Sequence, residues 1–318
     1  MPVPSGPSIF YSATIDAPAL AVYAGDFTGT STASFGIGAN GRYANGQNDG
    51  LEVPFGVALG PNGNLYTLET IGAQATSASV AEYLPNFNCM GPVAMLDGLP
   101  VGGSTPGAVA VDAAGYVYVA SQLPRQLALY APLVPGTQSA QPLATIAIPA
   151  HEASSDSRAG SDPIGIALDA SGRIYVADGF DDSVLVYPAR SGGTLSTVPS
   201  ATIAGSTTML GTVADVALDA AGKIYVVDDT YPYGVKIFAA NPSGAANVSP
   251  VAQIAGSQTQ IFYPPVTVAV DHLGVIYVGD FNNSGPAMIV EFPANPTGTL
   301  NEAPQGALFG KAADLVAK

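Results

Sequence analysis

The sequence is poor in the residues that carry most enzyme chemistry. In 318 residues it has one cysteine, Cys89, two histidines, His151 and His272, and no tryptophan. A lone cysteine excludes an intrachain disulfide. Two histidines, with His272 inside a repeated turn, exclude a histidine-based metal centre. A Ser-His-Asp triad would have to use His151, in the polar loop His151-Glu152-Ala153-Ser154-Ser155-Asp156. No phosphate loop or Cys/His zinc spacing occurs. Basic residues are also scarce: 9 Lys and Arg stand against 24 Asp and Glu, a net charge of −15. Nucleic acid is bound by clustered cations that displace counterions, so it is excluded as a partner, and an anionic membrane surface with it. No apolar run reaches the roughly 18 residues of a membrane span. No basic-then-apolar signal opens the chain. The Ala, Gly, Ser, Thr and Pro-rich, lysine-poor composition leads us to expect an exported protein, extracellular or periplasmic, without its leader.

What is present is a repeat. Five times a small-residue strand close to the phrase V-A-x-D, with Gly60 for the aspartate in the first copy and Ile166 for the valine in the third, is followed by a glycine-closed turn and an apolar strand built on tyrosine. The turn glycines are Gly63, Gly115, Gly172, Gly222 and Gly274, spaced 52, 57, 50 and 52 residues. Such periods mark solenoids and propellers. In four copies the turn is Asp-x-x-Gly, opened by Asp112, Asp169, Asp219 and Asp271. Aspartate caps such a turn by accepting from nearby backbone N–H groups, and glycine takes the positive φ. The second strand, as in Ile174-Tyr175-Val176-Ala177, is apolar at consecutive positions, the pattern of a strand buried on both faces. A third strand ends on an aromatic: Tyr83, Tyr130, Tyr187, Phe238 or Phe292. A fourth, as in Ala201-Thr202-Ile203-Ala204, follows.

Third and fourth strands occur six times, first strands five. Ser8-Ile9-Phe10-Tyr11 reads as a second strand, and Ala313-Asp314-Leu315-Val316-Ala317 as a first strand like Ala214 to Leu218. We therefore expect an all-β, six-bladed propeller of four-stranded antiparallel blades, one domain over residues 1–318. Five complete blades run roughly from 54 to 310. The sixth combines about 8–40 with about 312–318, three N-terminal strands and one C-terminal strand, which leaves no edge at the seam. Ala58, Ala110, Ala167, Ala217 and Ala269 each lie five residues before a turn glycine, where strands converge on the axis.

The phrase Pro163-Ile164-Gly165-Ile166-Ala167-Leu168-Asp169-Ala170-Ser171-Gly172-Arg173-Ile174-Tyr175-Val176-Ala177-Asp178, continued by Val184-Leu185-Val186-Tyr187, resembles the repeat of NHL-type six-bladed propellers. The resemblance covers nearly the whole chain. It implies the fold more than an activity, since that scaffold hosts lactonases, lyases and binding modules. The family's usual Asn-Arg before the third strand is replaced by Asp181-Asp182.

Candidate site residues lie on the face opposite the repeated turns, where loops are longer and varied. The second strand ends in Glu69, Asp178, Asp228 and Asp280, with Ser121 the exception. Sixfold symmetry would set these acids around the axis, where they could hold Ca²⁺ or a cationic ligand. Glu52 breaks the repeat just before an innermost strand; matching positions hold Ser104, Ser161, Gly211 and Tyr263. It resembles, more distantly, the metal-binding glutamate of gluconolactonase-type propellers, with Glu52-Val53-Pro54 in place of their E-G-P. Glu52 and Glu69 are thus the catalytic candidates, and Glu52, Asp178 and Asp228 the metal candidates, with Ca²⁺ the cofactor considered. Tyr231, Tyr233 and Phe281, with Phe180, Phe262 and Tyr263 in the same loops, suit sugars, peptides or cationic groups.

Two functions compete. One is a monomeric binding module whose loop-rich face takes a small molecule, glycan, peptide or protein. The other is a hydrolase or lyase, lactonase-like, with a carboxylate-lined, Ca²⁺-dependent site at the channel mouth.

Overall fold

The computed structural model describes residues 9–14, 19–24, 35–37, 53–70, 77–84, 91–100, 107–122, 124–149, 165–280, 288–309 and 314–317. All regular structure in these segments is β. The N-terminal strands are β1 (Ile9–Thr14), β2 (Ala19–Ala24) and β3 (Phe35–Ile37). The first complete blade is β4 (Val53–Leu59), β5 (Leu65–Thr70), β6 (Ser77–Tyr83) and β7 (Ala94–Pro100). The second is β8 (Ala108–Val111), β9 (Val117–Ser121) and β10 (Gln126–Tyr130), then, past a short strand β11 (Gly136–Ser139), β12 (Ala144–Ala147). The third is β13 (Gly165–Leu168), β14 (Ile174–Asp178), β15 (Ser183–Tyr187) and β16 (Ala201–Ile203). The fourth is β17 (Val213–Leu218), β18 (Ile224–Asp228) and β19 (Gly234–Phe238), then, past β20 (Gly244–Ala246), β21 (Ala252–Ala255). The fifth is β22 (Pro265–Val270), β23 (Ile276–Asp280) and β24 (Met288–Phe292), then, past β25 (Gly298–Leu300), β26 (Gly306–Phe309). Strand β27 (Asp314–Ala317) ends the chain.

Each of the five blades is one continuous stretch of chain, paired antiparallel in sequence order. The terminal strands form a further sheet in the order β27-β1-β2-β3, with Phe10 opposite Ala317 and Ala13 opposite Asp314. The expectation of purely four-stranded blades needs correction. Strands β11, β20 and β25 each leave their own blade and add, in parallel, to the outer edge of the preceding one, on β7, β16 and β21. Three blades are therefore five-stranded, and each is laced to its successor.

The core lies between blades rather than within them. Tyr175, Val184, Val186 and Ile203 of the third blade pack on Val216, Ile224, Val226 and Phe238 of the fourth. Tyr225, Val227 and Ile254 of the fourth pack on Val268, Ile276 and Phe292 of the fifth, and Tyr277 with Ile289 reaches Leu315. Strands β9, β14, β18 and β23 are buried at every position, as their unalternating apolar sequences require. The aromatics closing the third strands are buried too, each worth about 1.5–3 kcal/mol.

The repeated turns explain the tyrosines. Asp219 Oδ1 accepts from the backbone N–H groups of Ala221 and Lys223, both at 2.9 Å. Its Oδ2 accepts from the Tyr225 hydroxyl at 3.1 Å. Asp112, Asp169 and Asp271 repeat this with Tyr118, Tyr175 and Tyr277 at 3.2, 3.4 and 3.4 Å. Gly222 closes the turn at φ 80°, where a side chain would strain the backbone. The tyrosines, apolar in the strand pattern, are each also the second half of the turn. Tyr225→Phe removes one hydrogen bond and should cost about 1 kcal/mol. Asp219→Ala leaves three donors without their acceptor and should cost about 2 kcal/mol or more. Urea midpoints at unchanged m test the ranking, which fails if the two variants are equally destabilised.

Candidate functional site

The innermost strands neighbour one another in the order β4, β8, β13, β17, β22 and β27, and β27 lies again against β4. They enclose an axial channel of about 250 Å³. Ala58, Ala110, Ala167, Ala217 and Ala269 line it with aliphatic neighbours, as their spacing implies. One carboxylate joins this wall, Asp215, 7% exposed. Its Oδ1 accepts from the Val216 N–H at 2.7 Å. Its Oδ2 accepts from the Thr267 hydroxyl and the Val268 N–H, both at 2.9 Å. Thr267 Oγ1 in turn accepts from the Leu315 N–H at 3.1 Å. Charge-assisted bonds of this kind are short and strong. Here they tie the fourth blade to the fifth and the fifth to the C-terminal strand. A Cβ at Gly165 would collide with the Asp215 carboxylate, so glycine is required opposite it. Sequence reasoning missed Asp215. Its signal was a charge where the other complete repeats hold Gly56, Ala108, Gly165 and Thr267; the C-terminal strand has Asp314 at the matching position.

The acids that end the second strands do not line this channel. Asp178 is fully buried and pairs with Arg125 of the preceding blade, Nη2 to Oδ2, at 2.9 Å. It also accepts from the Phe180 N–H at 3.2 Å. Burial pushes its carboxyl up, Arg125 pulls it down and Asp181 raises it again, leaving it above the usual carboxylate value. The Arg125 guanidinium lies 5.1 Å from the centre of the Phe180 ring. Asp228 takes Lys236 Nζ at 3.1 Å and the N–H groups of Gly211 and Thr230 at 3.3 and 2.9 Å. Asp280 accepts from the Met288 N–H at 2.7 Å. Burial raises its carboxyl, and that hydrogen bond lowers it less than burial raises it. Glu69 is buried within β5. Ser121, the exception, donates to the Pro124 carbonyl at 2.8 Å. Asp178, Asp228 and Asp280 thus cap loops and join strands. Among the described residues, no three His, Cys, Asp or Glu side chains converge as metal ligands. Glu52 and Phe281 lie outside the described residues.

A different assembly stands on the loop-rich face of the fourth blade. Two of the loops read as varied are copies of one framework: Gly205-Ser206-Thr207-Thr208-Met209-Leu210 before that blade and Gly256-Ser257-Gln258-Thr259-Gln260-Ile261 after it. In each, the threonine hydroxyl donates to the glycine carbonyl, Thr208 to Gly205 at 2.7 Å and Thr259 to Gly256 at 2.9 Å. In each, that hydroxyl accepts from the N–H two residues on, at 3.3 Å. Asn247 and Asn301, which follow the lacing strands, accept from Thr207 and Gln258 N–H at 2.8 and 2.9 Å. Met209 and Gln260 occupy the left-handed region at φ 59° and 60°. Such a conformation costs of order 1–3 kcal/mol and persists where neighbours determine it.

Between these loops stands Tyr231-Pro232-Tyr233, joining β18 to β19. The two tyrosine rings are perpendicular, with centroids 5.8 Å apart. Tyr233 packs against the cluster of the fourth and fifth blades, to which Ile261 of the second copy also belongs. Thr212 N–H donates to Thr230 Oγ1 at 2.7 Å, which links the middle loop to the first copy. Tyr231 is 83% exposed, Phe262 61%, Met209 55% and Tyr263 41%. Sequence reasoning named the rings but missed the duplicated frame beneath them. Its shared residues are glycine, serine and threonine, too common to show as a repeat.

No protein-family model matches the chain, and no curated protein matches its sequence. Solved structures do match. A protein of unknown function from Bacteroides caccae superposes with a TM-score of 0.62 at 12% identity, over 98% of this chain and 99% of that one. A candidate 6-phosphogluconolactonase from Bacteroides uniformis ATCC 8492 gives 0.58 at 12%, over 91% and 80%. A protein from Lactobacillus plantarum gives 0.54 at 14%, over 98% and 99%. The chain is a β-propeller. At these identities the propeller likeness is one of fold alone. No helix among the described residues is long and apolar enough to cross a membrane.

The raised Asp280 carboxyl has a signed consequence. The folded protein holds this proton more tightly than the unfolded chain does. The cost of the buried charge is therefore present above the raised value and fades as pH falls toward the ordinary value near 4. Asp280→Asn keeps a carbonyl for the Met288 N–H. It should be more stable than the native protein at neutral pH, with the advantage shrinking to nothing near pH 4. Denaturant midpoints across pH measure this; a pH-independent difference counts against it.

Proposed function

We propose that the protein is a binding module and that its ligand, a small molecule, glycan, peptide or protein, docks on the aromatic platform over the fourth blade. The observation that carries this reading is a contrast. The buried Asp178, Asp228 and Asp280 are bonded into the scaffold, whereas Tyr231, Phe262 and Tyr263 stand exposed on hydrogen-bonded loops. Large exposed apolar groups gathered in one place mark interaction sites, and binding residues are commonly carried by loops on a rigid frame. We also read the molecule as one NHL-type, six-bladed domain over residues 1–318, with the sheet of β1, β2, β3 and β27 as the closing blade. The cyclic order of the innermost strands and the pairing of β1 with β27 support this.

The platform is tested by the double variant Tyr231→Ala with Phe262→Ala, against Leu273→Ala in a repeated turn on the opposite face, where Leu273 is 56% exposed. Ligands found by thermal-shift screening should raise the Tm of the native protein and of Leu273→Ala but lose most of that shift on the double variant. Shifts that survive in the double variant would place the ligand elsewhere.

A further inference from the structure

We propose that the platform's ligand is a neutral carbohydrate chain; this rests on the reading of the platform as the binding surface. The first argument is charge. The segments 205–212, 229–233 and 256–264 contain no Lys or Arg and one acid, Asp229. On a protein of net charge −15, such a surface repels anionic ligands and offers a cationic one a single carboxylate. The second argument is the main chain. An extended peptide gains much of its affinity from backbone hydrogen bonds. Here the N–H groups of Leu210, Thr212, Thr230 and Ile261 are already donated within the loops. A sugar needs no such partners. Its C–H face covers an aromatic ring, and its hydroxyl rim meets exposed Ser, Thr and amide groups. Ser206, Thr207, Ser257 and Gln258 stand exposed in the two loops. The internally bonded loops also keep the ordering cost of binding low.

The test is native affinity electrophoresis in gels carrying β-glucan, xylan or galactomannan, at low and high salt. The expected result is retardation of the native protein and of Leu273→Ala by at least one polysaccharide, unchanged by salt. Removing Tyr231 and Phe262 should weaken it by up to about tenfold per ring. Retardation that salt abolishes, or that persists in the double variant, overturns the proposal. So does the absence of retardation in all three gels. A parallel selection of random peptides on the native protein separates the two readings. Peptides that lose binding in the double variant, with no polysaccharide bound, sink the carbohydrate and leave the platform standing. If neither probe depends on the two rings, both readings fall.

Discussion

The bond between a turn aspartate and the tyrosine six residues later is the constraint on which the rest of the structure depends. One oxygen of the carboxylate holds two backbone N–H groups of the turn, and the other holds the tyrosine hydroxyl. The ring is thereby fixed at the hairpin that carries the two innermost strands of a blade. Those strands set where the next blade can pack, because the apolar core lies between blades. The motif recurs at four turns. Gly60 to Gly63 forms the fifth turn, with the Gly63 N–H donating to the Gly60 carbonyl at 3.0 Å. A tyrosine hydroxyl buried without a partner would cost more than the bond returns; at the fifth turn, which has no aspartate, the Tyr66 hydroxyl bonds Glu82 instead.

Rigidity at the turns leaves the opposite face free to differ, yet it differs less than its lengths suggest. The lacing strands β20 and β25 bring Asn247 and Asn301 up to the loops of the preceding blades. Those asparagines hold the two copies of the Gly-Ser-x-Thr frame. The second copy reaches its next strand one residue later than the first, and the added length lies where Phe262 and Tyr263 stand. One frame and one extra residue are enough to turn a structural loop into a display of rings.

Much of the fold was legible because its signals are repeated and apolar. The axial alanines, the buried second strands and the aromatic ends of the third strands stand where their spacing places them. The lacing strands were not legible, since three or four small residues such as Gly244-Ala245-Ala246 carry no alternation. A weaker signal existed: Gly136, Gly193, Gly244 and Gly298 each follow a third-strand aromatic by six residues. Even that would have misled once. Gly193 lies beside Leu143 but starts no ladder; Ser191 bridges Thr194 instead. Nearby, Arg190 is held 3.5 Å over the Tyr116 ring and 2.7 Å from Asp112 Oδ2. The outer edge of β12 is correspondingly open, with Thr145 and Ala147 exposed. At the site, residue type was legible and partnership was not. The acids read as a ring because symmetry groups them, but Asp178, Asp228 and Asp280 each bond a different neighbour.

Those partnerships follow from the scarcity of cations. All five basic residues among the described residues serve the scaffold. Arg125 binds Asp178 across one blade boundary, and Arg190 binds Asp112 back across the same boundary. Arg173 and Lys223 reach Asn241 and Asn295 of the following blades at 2.7 and 2.9 Å. Lys236 neutralises Asp228 inside the fourth blade. Buried carboxylates are tolerated only when paired or hydrogen-bonded, and four of these five cations are taken up by carboxylates, while Lys223 bonds an exposed amide. The loops around the platform are then left without positive charge as a consequence of stability. A surface formed under that constraint recognises by ring faces, hydroxyls and amides, because those are the groups the scaffold does not need.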